Sequence, residues 1–284
     1  MSPGIRRLSL ALMIPVVAGT LAAALALAAP VALKTTELGH GPTIVFVPGL
    51  GTTRNDCLPT ARKLLGRYRV VLVDLPGHGE SPLPDPFTFV VAGEALDAVL
   101  AKQNPDSTIV VGQQMGGRVV MAALAAHPGH AKGAFLIDVP VGPPVPIDDQ
   151  QKKAFFDFME QNYEAVAGRL FGNLGRDTTQ SKTIWTAFSQ TSPATVKAYI
   201  REAFYSDGNK DAKAIKMPMQ MVFTSRVWKA GSTSGAAFKQ FGWDDTTASA
   251  IRLNDAAYWA MKDQPDTLAA LISAFATARL AAKK

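Results

Sequence analysis

The sequence predicts an α/β fold: a mostly parallel central sheet with helices on both faces, and a helical lid subdomain inserted late in the sheet. Short, nearly uninterrupted apolar runs rich in Val and Ile alternate with stretches of helical spacing, as expected for strands buried on both faces. Several of these runs close in Gly/Pro turns. The alternation breaks once, after residue 139, and resumes at residue 219.

Residues 43–47 (TIVFV) form the first buried strand and end at Pro48-Gly49-Leu50-Gly51. Residues 54–66 have helical spacing through Leu58, Ala61, Leu64 and Leu65, and Gly66 stops them. Residues 69–75 (RVVLVDL) form a second strand, closed by Pro76-Gly77-His78-Gly79. A helix over 88–102 places Val91, Ala95, Leu96 and Val99 on one face. The third strand, 108–112, runs straight into a helix over 115–126, and 133–139 (GAFLIDV) is the fourth strand. Crossovers between parallel strands of this kind are right-handed.

Pro140, Pro143, Pro144 and Pro146 then make a stiff hinge. The segment that follows, 147–216, is mainly helical and holds ten of the chain's 23 aromatic side chains (Phe 14, Tyr 5, Trp 4). That density fits a subdomain packing its own core, or a lid whose apolar face roofs a ligand pocket; both can hold at once. A strand over 219–224, a helix over 232–241 and a last strand over 248–253 follow. Pro265 opens the terminal helix, whose apolar stripe is Leu268, Leu271, Ile272 and Phe275. The expected division is 1–29 as an N-terminal signal or anchor, 30–146 and 217–284 as the core, and 147–216 as the lid.

At 284 residues, 48% hydrophobic and 18% charged, the chain can bury a sizeable core and is too apolar to be disordered. Cys57 is its only cysteine, which excludes an internal disulfide and a Cys-based zinc site. The four histidines (His40, His78, His127, His130) leave little for a metal cluster, and none follows His130. With no Gly-rich dinucleotide or Walker loop and no paired-histidine motif, neither metal nor organic cofactor is expected. The net charge of +6 is scattered, without a basic stripe interleaved with aromatics, so nucleic acid is not an expected partner. Arg6 and Arg7 precede an uncharged Leu/Ala-rich run over 8–29 containing Ala26-Leu27-Ala28, the pattern of a secretory signal. The run is also long enough to span a bilayer if retained, so a cleaved signal and a membrane anchor both stand. Either way the folded part is expected to be exported, periplasmic or secreted, and to touch a membrane only through this segment.

Four segments, FVPGLG (46–51), VVLVDLPGHGES (70–81), VVGQQMGG (110–117) and AYWAMKDQPD (257–266), occur in an order and spacing that resemble the α/β-hydrolase superfamily over roughly residues 38–281. The resemblance implies an oxyanion hole made by the backbone amides of Leu50 and Met115. It also implies a nucleophile elbow of the form G-x-S-x-G at 112–116. There the chain reads Gly112-Gln113-Gln114-Met115-Gly116, so Gln114 stands at the serine position, and a carboxamide is no nucleophile. Aligning on Met261, Asp263, Gln264 and Pro265 puts Tyr258 at the histidine position, and a phenol is a poor base at neutral pH. After the strand over 219–224 comes Ser225-Arg226-Val227-Trp228, with no carboxylate. Asp138 matches an alternative position for the acid, or it organises the start of the lid hinge.

Gln114 is expected to accept a hydrogen bond from the Tyr258 hydroxyl and to donate to Asp138 or water, satisfying the polar groups of a closed pocket. Asp74 and His78 are expected to be structural, His127 and His130 to fill ordinary surface roles, His40 to be exposed, and Cys57 to be a buried hydrophobe. The expected function is that of an exported hydrolase-fold protein without its serine-hydrolase centre, binding a small apolar or amphipathic molecule. The alternative is a hydrolase of small esters or amides with a non-standard centre, using water activated by Asp138, or a hydroxyl of Tyr258 or Ser225.

Overall fold

A computed structural model describes residues 31–143 and 146–280; the segment over 1–29 and Pro144 of the hinge lie outside them. Seven strands form one sheet in the order β1-β3-β2-β4-β5-β6-β7. They are β1 (Thr35–Leu38), β2 (Thr43–Val47), β3 (Arg69–Val73), β4 (Thr108–Gln113), β5 (Gly133–Ile137), β6 (Met219–Thr224) and β7 (Ala250–Leu253). Every neighbouring pair is parallel except β1 with β3. The sequence reading missed β1 because TTEL is a polar edge strand. It lies half-exposed, held by its ladder with β3, and has no apolar run to announce it.

The helices are α1 (Leu58–Arg62), α2 (Phe89–Leu100), α3 (Gln114–Ala126), α4 (Asp149–Gln161), α5 (Tyr163–Phe171), α6 (Thr178–Phe188), α7 (Pro193–Tyr205), α8 (Gly208–Ala214), α9 (Ser234–Gln240), α10 (Ala260–Asp263) and α11 (Pro265–Leu280). Several expected elements are shorter than read. The helix over 54–66 is a 3-10 turn, Arg54–Cys57, followed by the short α1. The strands expected to run to 75 and 139 stop at Val73 and Ile137; the next residues, Asp74 and Asp138, accept through their side chains from Arg54 and Thr224, and Asp138 leaves extended backbone at φ +49°.

Alternate strand residues face opposite layers. Val45, Val71 and Val110 pack with α2 and α3, whereas Ile44, Val70, Ile109 and Phe135 pack with α1, α10 and α11. Phe156, Phe188, Tyr199 and Phe204 of α4, α6 and α7 join the cluster that holds Val45 and Leu136. The inserted helices therefore share the core of the sheet as well as roofing a cavity. Arg118 of α3 is 1% exposed and donates to the carbonyl of Val141 (3.1 Å) and to Ser206 Oγ (2.9 Å), tying both flanks of the insertion to the sheet. No helix of the described residues is long and apolar enough to cross a membrane.

The order of strands sets the position of the site. The chain passes from β2 to β3 on one side and then to β4 on the other, so the order reverses between β2 and β4. Open α/β sheets bind ligands in the crevice beyond the carboxyl ends at such a point. Pro48-Gly49-Leu50 leaves β2 there, beside the junction of β4 and α3.

Candidate functional site

Strand β4 passes into α3 without a loop. The turn is made by Gln114 at φ +51°, a left-handed conformation that is strained for a side chain of this size. The glycines around it let the helix start close against the sheet. A Cβ on Gly116 would stand 2.0 Å from the Pro48 carbonyl oxygen and 2.8 Å from that of Val47; one on Gly117 would stand 2.1 Å from Val139 Cγ2. Because backbone cannot yield as a side-chain tip does, Gly116→Ala is expected to destabilise the fold by about 3 kcal/mol, read from the midpoint of urea unfolding.

The two amides implied for an oxyanion hole are available. Met115 lies in the first turn of α3, where N–H groups have no intrahelical acceptor. Among the described residues, neither its N–H nor that of Leu50 donates to a protein group. The turn carrying Leu50 is braced from behind. Gly51 N–H donates to His78 Nε2 at 2.9 Å, while His78 Nδ1 lies 3.1 Å from the Pro76 carbonyl; both contacts are satisfied by the neutral ring protonated on Nδ1. Burial lowers the His78 pKa to about 4. The Tyr199 ring meets it edge-on at 5.4 Å. His78 is thus a structural strut, as expected. The Phe188 ring of α6 lies directly on the turn, 2.0 Å from where a Gly51 Cβ would be.

Tyr258 sits across from the elbow, 4% exposed and packed with Leu174 and Ile184 of the insertion. A Cβ on Gly49 would stand 3.2 Å from Gln114 Cβ and 3.5 Å from the Tyr258 hydroxyl, so both side chains converge on one point of the turn. The expected hydrogen bonds between Gln114 and Tyr258 and between Gln114 and Asp138 do not form. The Tyr258 hydroxyl donates to the Leu50 carbonyl instead of Gln114, giving a buried turn carbonyl the partner it needs. Burial drives the phenol further from ionisation.

Asp138 is completely buried and accepts from Thr224 N–H (2.8 Å) and Thr224 Oγ1 (2.6 Å), clamping the ends of β5 and β6. It accepts no hydrogen bond from Gln114 or Tyr258. Its pKa rises to about 6, because burial outweighs the two Thr224 bonds and the nearby charge of Arg226. Of the two roles left open for Asp138, the observed contacts are those of an organiser at the entry to the hinge.

The remaining candidates hold structure. Asp74 accepts from the backbone N–H groups of Arg54 (2.7 Å) and Glu80 (3.2 Å) and pairs with the Arg54 guanidinium. Ser225 Oγ donates to the Ala256 carbonyl at 3.0 Å. Cys57 is buried, which pushes its thiol pKa well up and away from reactivity. His40 is exposed. Gln113 was not foreseen: its side-chain amide donates to the Tyr258 carbonyl and so fixes the segment facing the elbow. A glutamine closing a fully buried strand, TIVVGQ, was the signal for it.

Next to the elbow opens a cavity of about 500 Å³ whose lining includes Met115, Phe155, Phe171, Ile200 and Phe204. Its volume is that of a small-molecule site. The arrangement offers two backbone donors without a protein acceptor, one of them beside an apolar chamber, and at the elbow a carboxamide and a committed phenol.

A sequence profile of the alpha/beta hydrolase fold family matches residues 42–220, and the chain belongs to that family. Among curated proteins it is similar to the pimeloyl-(acyl-carrier protein) methyl ester esterase of Chromobacterium violaceum. The two are 36% identical over 100 residues, which is 35% of this chain and 38% of that protein, so the match spans well under half of the relative's length. Among solved structures, a bromoperoxidase from Bacillus anthracis superposes with a TM-score of 0.68 at 15% identity, over 86% of this chain and 94% of the other. A thermophilic esterase from Thermogutta terrifontis gives 0.68 at 19% identity, over 86% and 92%. At these identities the structural likeness speaks for the fold.

Proposed function

We propose that this protein is a hydrolase-fold protein without a working serine-hydrolase centre, and that it holds a small apolar or amphipathic molecule beneath its lid. The observation that carries the reading is the elbow itself. Gln114 occupies the strained turn, while the Tyr258 hydroxyl is committed to the Leu50 carbonyl, so no side chain at the elbow can be deprotonated to attack a carbonyl. What remains is suited to binding. The chamber beside Met115 would take an apolar chain, and the Leu50 and Met115 amides would take a carbonyl or carboxylate oxygen at its end. The curated relative's named substrate, the methyl ester of an acyl group, has that division into apolar chain and polar end. Export belongs to the same proposal and rests on Arg6, Arg7 and the apolar run over 8–29; cell fractionation of the full chain would test it.

The binding reading is tested by displacement of a fluorescent fatty acid from the purified chain. Saturable binding is expected, lost in Ala203→Trp, which fills the cavity with a side chain from α7 while the circular dichroism stays that of the parent. Absence of binding by a folded parent would sink the reading. Turnover of p-nitrophenyl esters that exceeds background would support the non-standard hydrolase instead.

A further inference from the structure

Glu94 and Asp97 lie one turn apart on α2, and both face His127 and His130, which follow the last turn of α3. His130 Nδ1 is 2.6 Å from Asp97 Oδ1. His127 Nε2 lies 3.1 Å from each Glu94 carboxylate oxygen and 3.8 Å from Asp97 Oδ2. The imidazole ring centroids are 5.6 Å apart and the planes within 6° of parallel. One ligating atom each from Asp97, His127 and His130 falls within 4.8 Å of the others, with Glu94 at the rim.

Two nitrogen and two oxygen donors, drawn from two rigid elements, converge here. Among the described residues the side chains within ion-pair distance of Glu94 and Asp97 are these two imidazoles, with no lysine or arginine. Neither α2 nor α3 has a basic residue in its last turn, and the terminal carbonyls of α3 add negative potential where His127 caps it. Two carboxylates thus face the C-terminal end of α3 with no lysine or arginine paired to them, a place where a divalent cation would be held.

The geometry points to a transition-metal site here, best suited to Zn²⁺, with Asp97, His127 and His130 as ligands and Glu94 as the fourth. Imidazole and carboxylate are donors zinc accepts in a tetrahedral set. Bonds of about 2.0–2.2 Å imply ligand atoms roughly 3.3 Å apart. The two distances from His127 to Glu94 and Asp97, 3.1 and 3.8 Å, bracket that value, whereas the Asp97 oxygen nearest His130, at 2.6 Å, has to draw back by about 0.7 Å. The site lies at the far end of α3 from Gln114, about 18 Å along the helix. Its role is therefore that of a clamp joining α2 to the segment that enters β5. It is independent of the pocket. The carboxylates lie 33 residues from the histidines in sequence, so only the packing of α2 on α3 brings His-x-x-His onto Glu-x-x-Asp.

The test uses the full chain, stripped with a chelator, free of any affinity tag and dialysed against zinc sulfate before elemental analysis. About one zinc per chain is expected, and cobalt(II) in its place should give the visible absorption of a tetrahedral site. His127→Ala, His130→Ala and Asp97→Asn should each weaken zinc binding at least about tenfold, as loss of even an outer partner does, while fatty-acid displacement from the pocket stays as in the parent. Glu94→Gln, the least disruptive change, keeps the test valid if another variant fails to fold. No zinc retained by the folded parent, or zinc retained equally by the folded variants, would overturn the assignment.

Discussion

The double change Gln114→Ser with Tyr258→His is expected to label with a fluorophosphonate at least about a hundredfold faster than the parent, whereas neither single change does so. The two positions converge on the same point of the Gly49 turn, so an introduced hydroxyl and imidazole would meet there. Nucleophile and base act as a unit, hence the silence of the single variants. A serine–histidine pair lacking its acid keeps only about 10² of the roughly 10⁶ that a full triad supplies. The acid is missing here because Asp138 is turned onto Thr224. The Leu50 and Met115 amides need no repair. Freed from the Tyr258 hydroxyl, the Leu50 carbonyl would lose a partner, so the double variant should also be less stable, by about 1–3 kcal/mol. Equal labelling of the double variant and the parent, in a folded protein, would show that the elbow is not poised as described.

Two buried groups are expected to write opposite slopes into the acid stability of the fold. His78 has its pKa lowered from 6.5 to about 4. Between those values the unfolded chain binds the extra proton, so this group's contribution is complete above pH 6.5 and is lost as the pH falls toward 4. Asp138 has its pKa raised from 3.8 to about 6. There the folded chain binds the extra proton, so that contribution is present below 3.8 and is lost as the pH rises through 6. From about pH 6 down to 4 the two nearly cancel. Asp138→Asn should therefore make stability fall more steeply with acid than in the parent, and His78→Gln should make it fall less steeply. Each difference is up to about 1.4 kcal/mol per pH unit. Urea unfolding at several pH values across this window reads the slopes, which are not affected by a constant loss from either substitution. Slopes unchanged in both variants would mean that neither group is held as its surroundings imply.

Much of this protein can be read from local pattern. The strands β2 to β6 are legible because a strand buried on both faces must be nearly all apolar, and the elbow because a helix starting flush against a sheet needs Gly112, Gly116 and Gly117. Gln114 and Tyr258 are legible as departures from a motif whose neighbours survive. Which acceptor each polar group would find was not legible. Every residue carries a carbonyl, and only the folded turn places that of Leu50 beneath the Tyr258 hydroxyl. The same holds for Asp138, whose partner Thr224 lies 86 residues away, and for His78, recognisable as structural but not as the acceptor for Gly51. β1 escaped for a different reason: an edge strand needs no apolar signature.

Intact-mass analysis of the unmodified chain after prolonged exposure to a fluorophosphonate tests the central claim most directly. The account predicts a mass unchanged from the untreated protein. A stoichiometric adduct mapped to any side chain lining the cavity beside Met115 would contradict it.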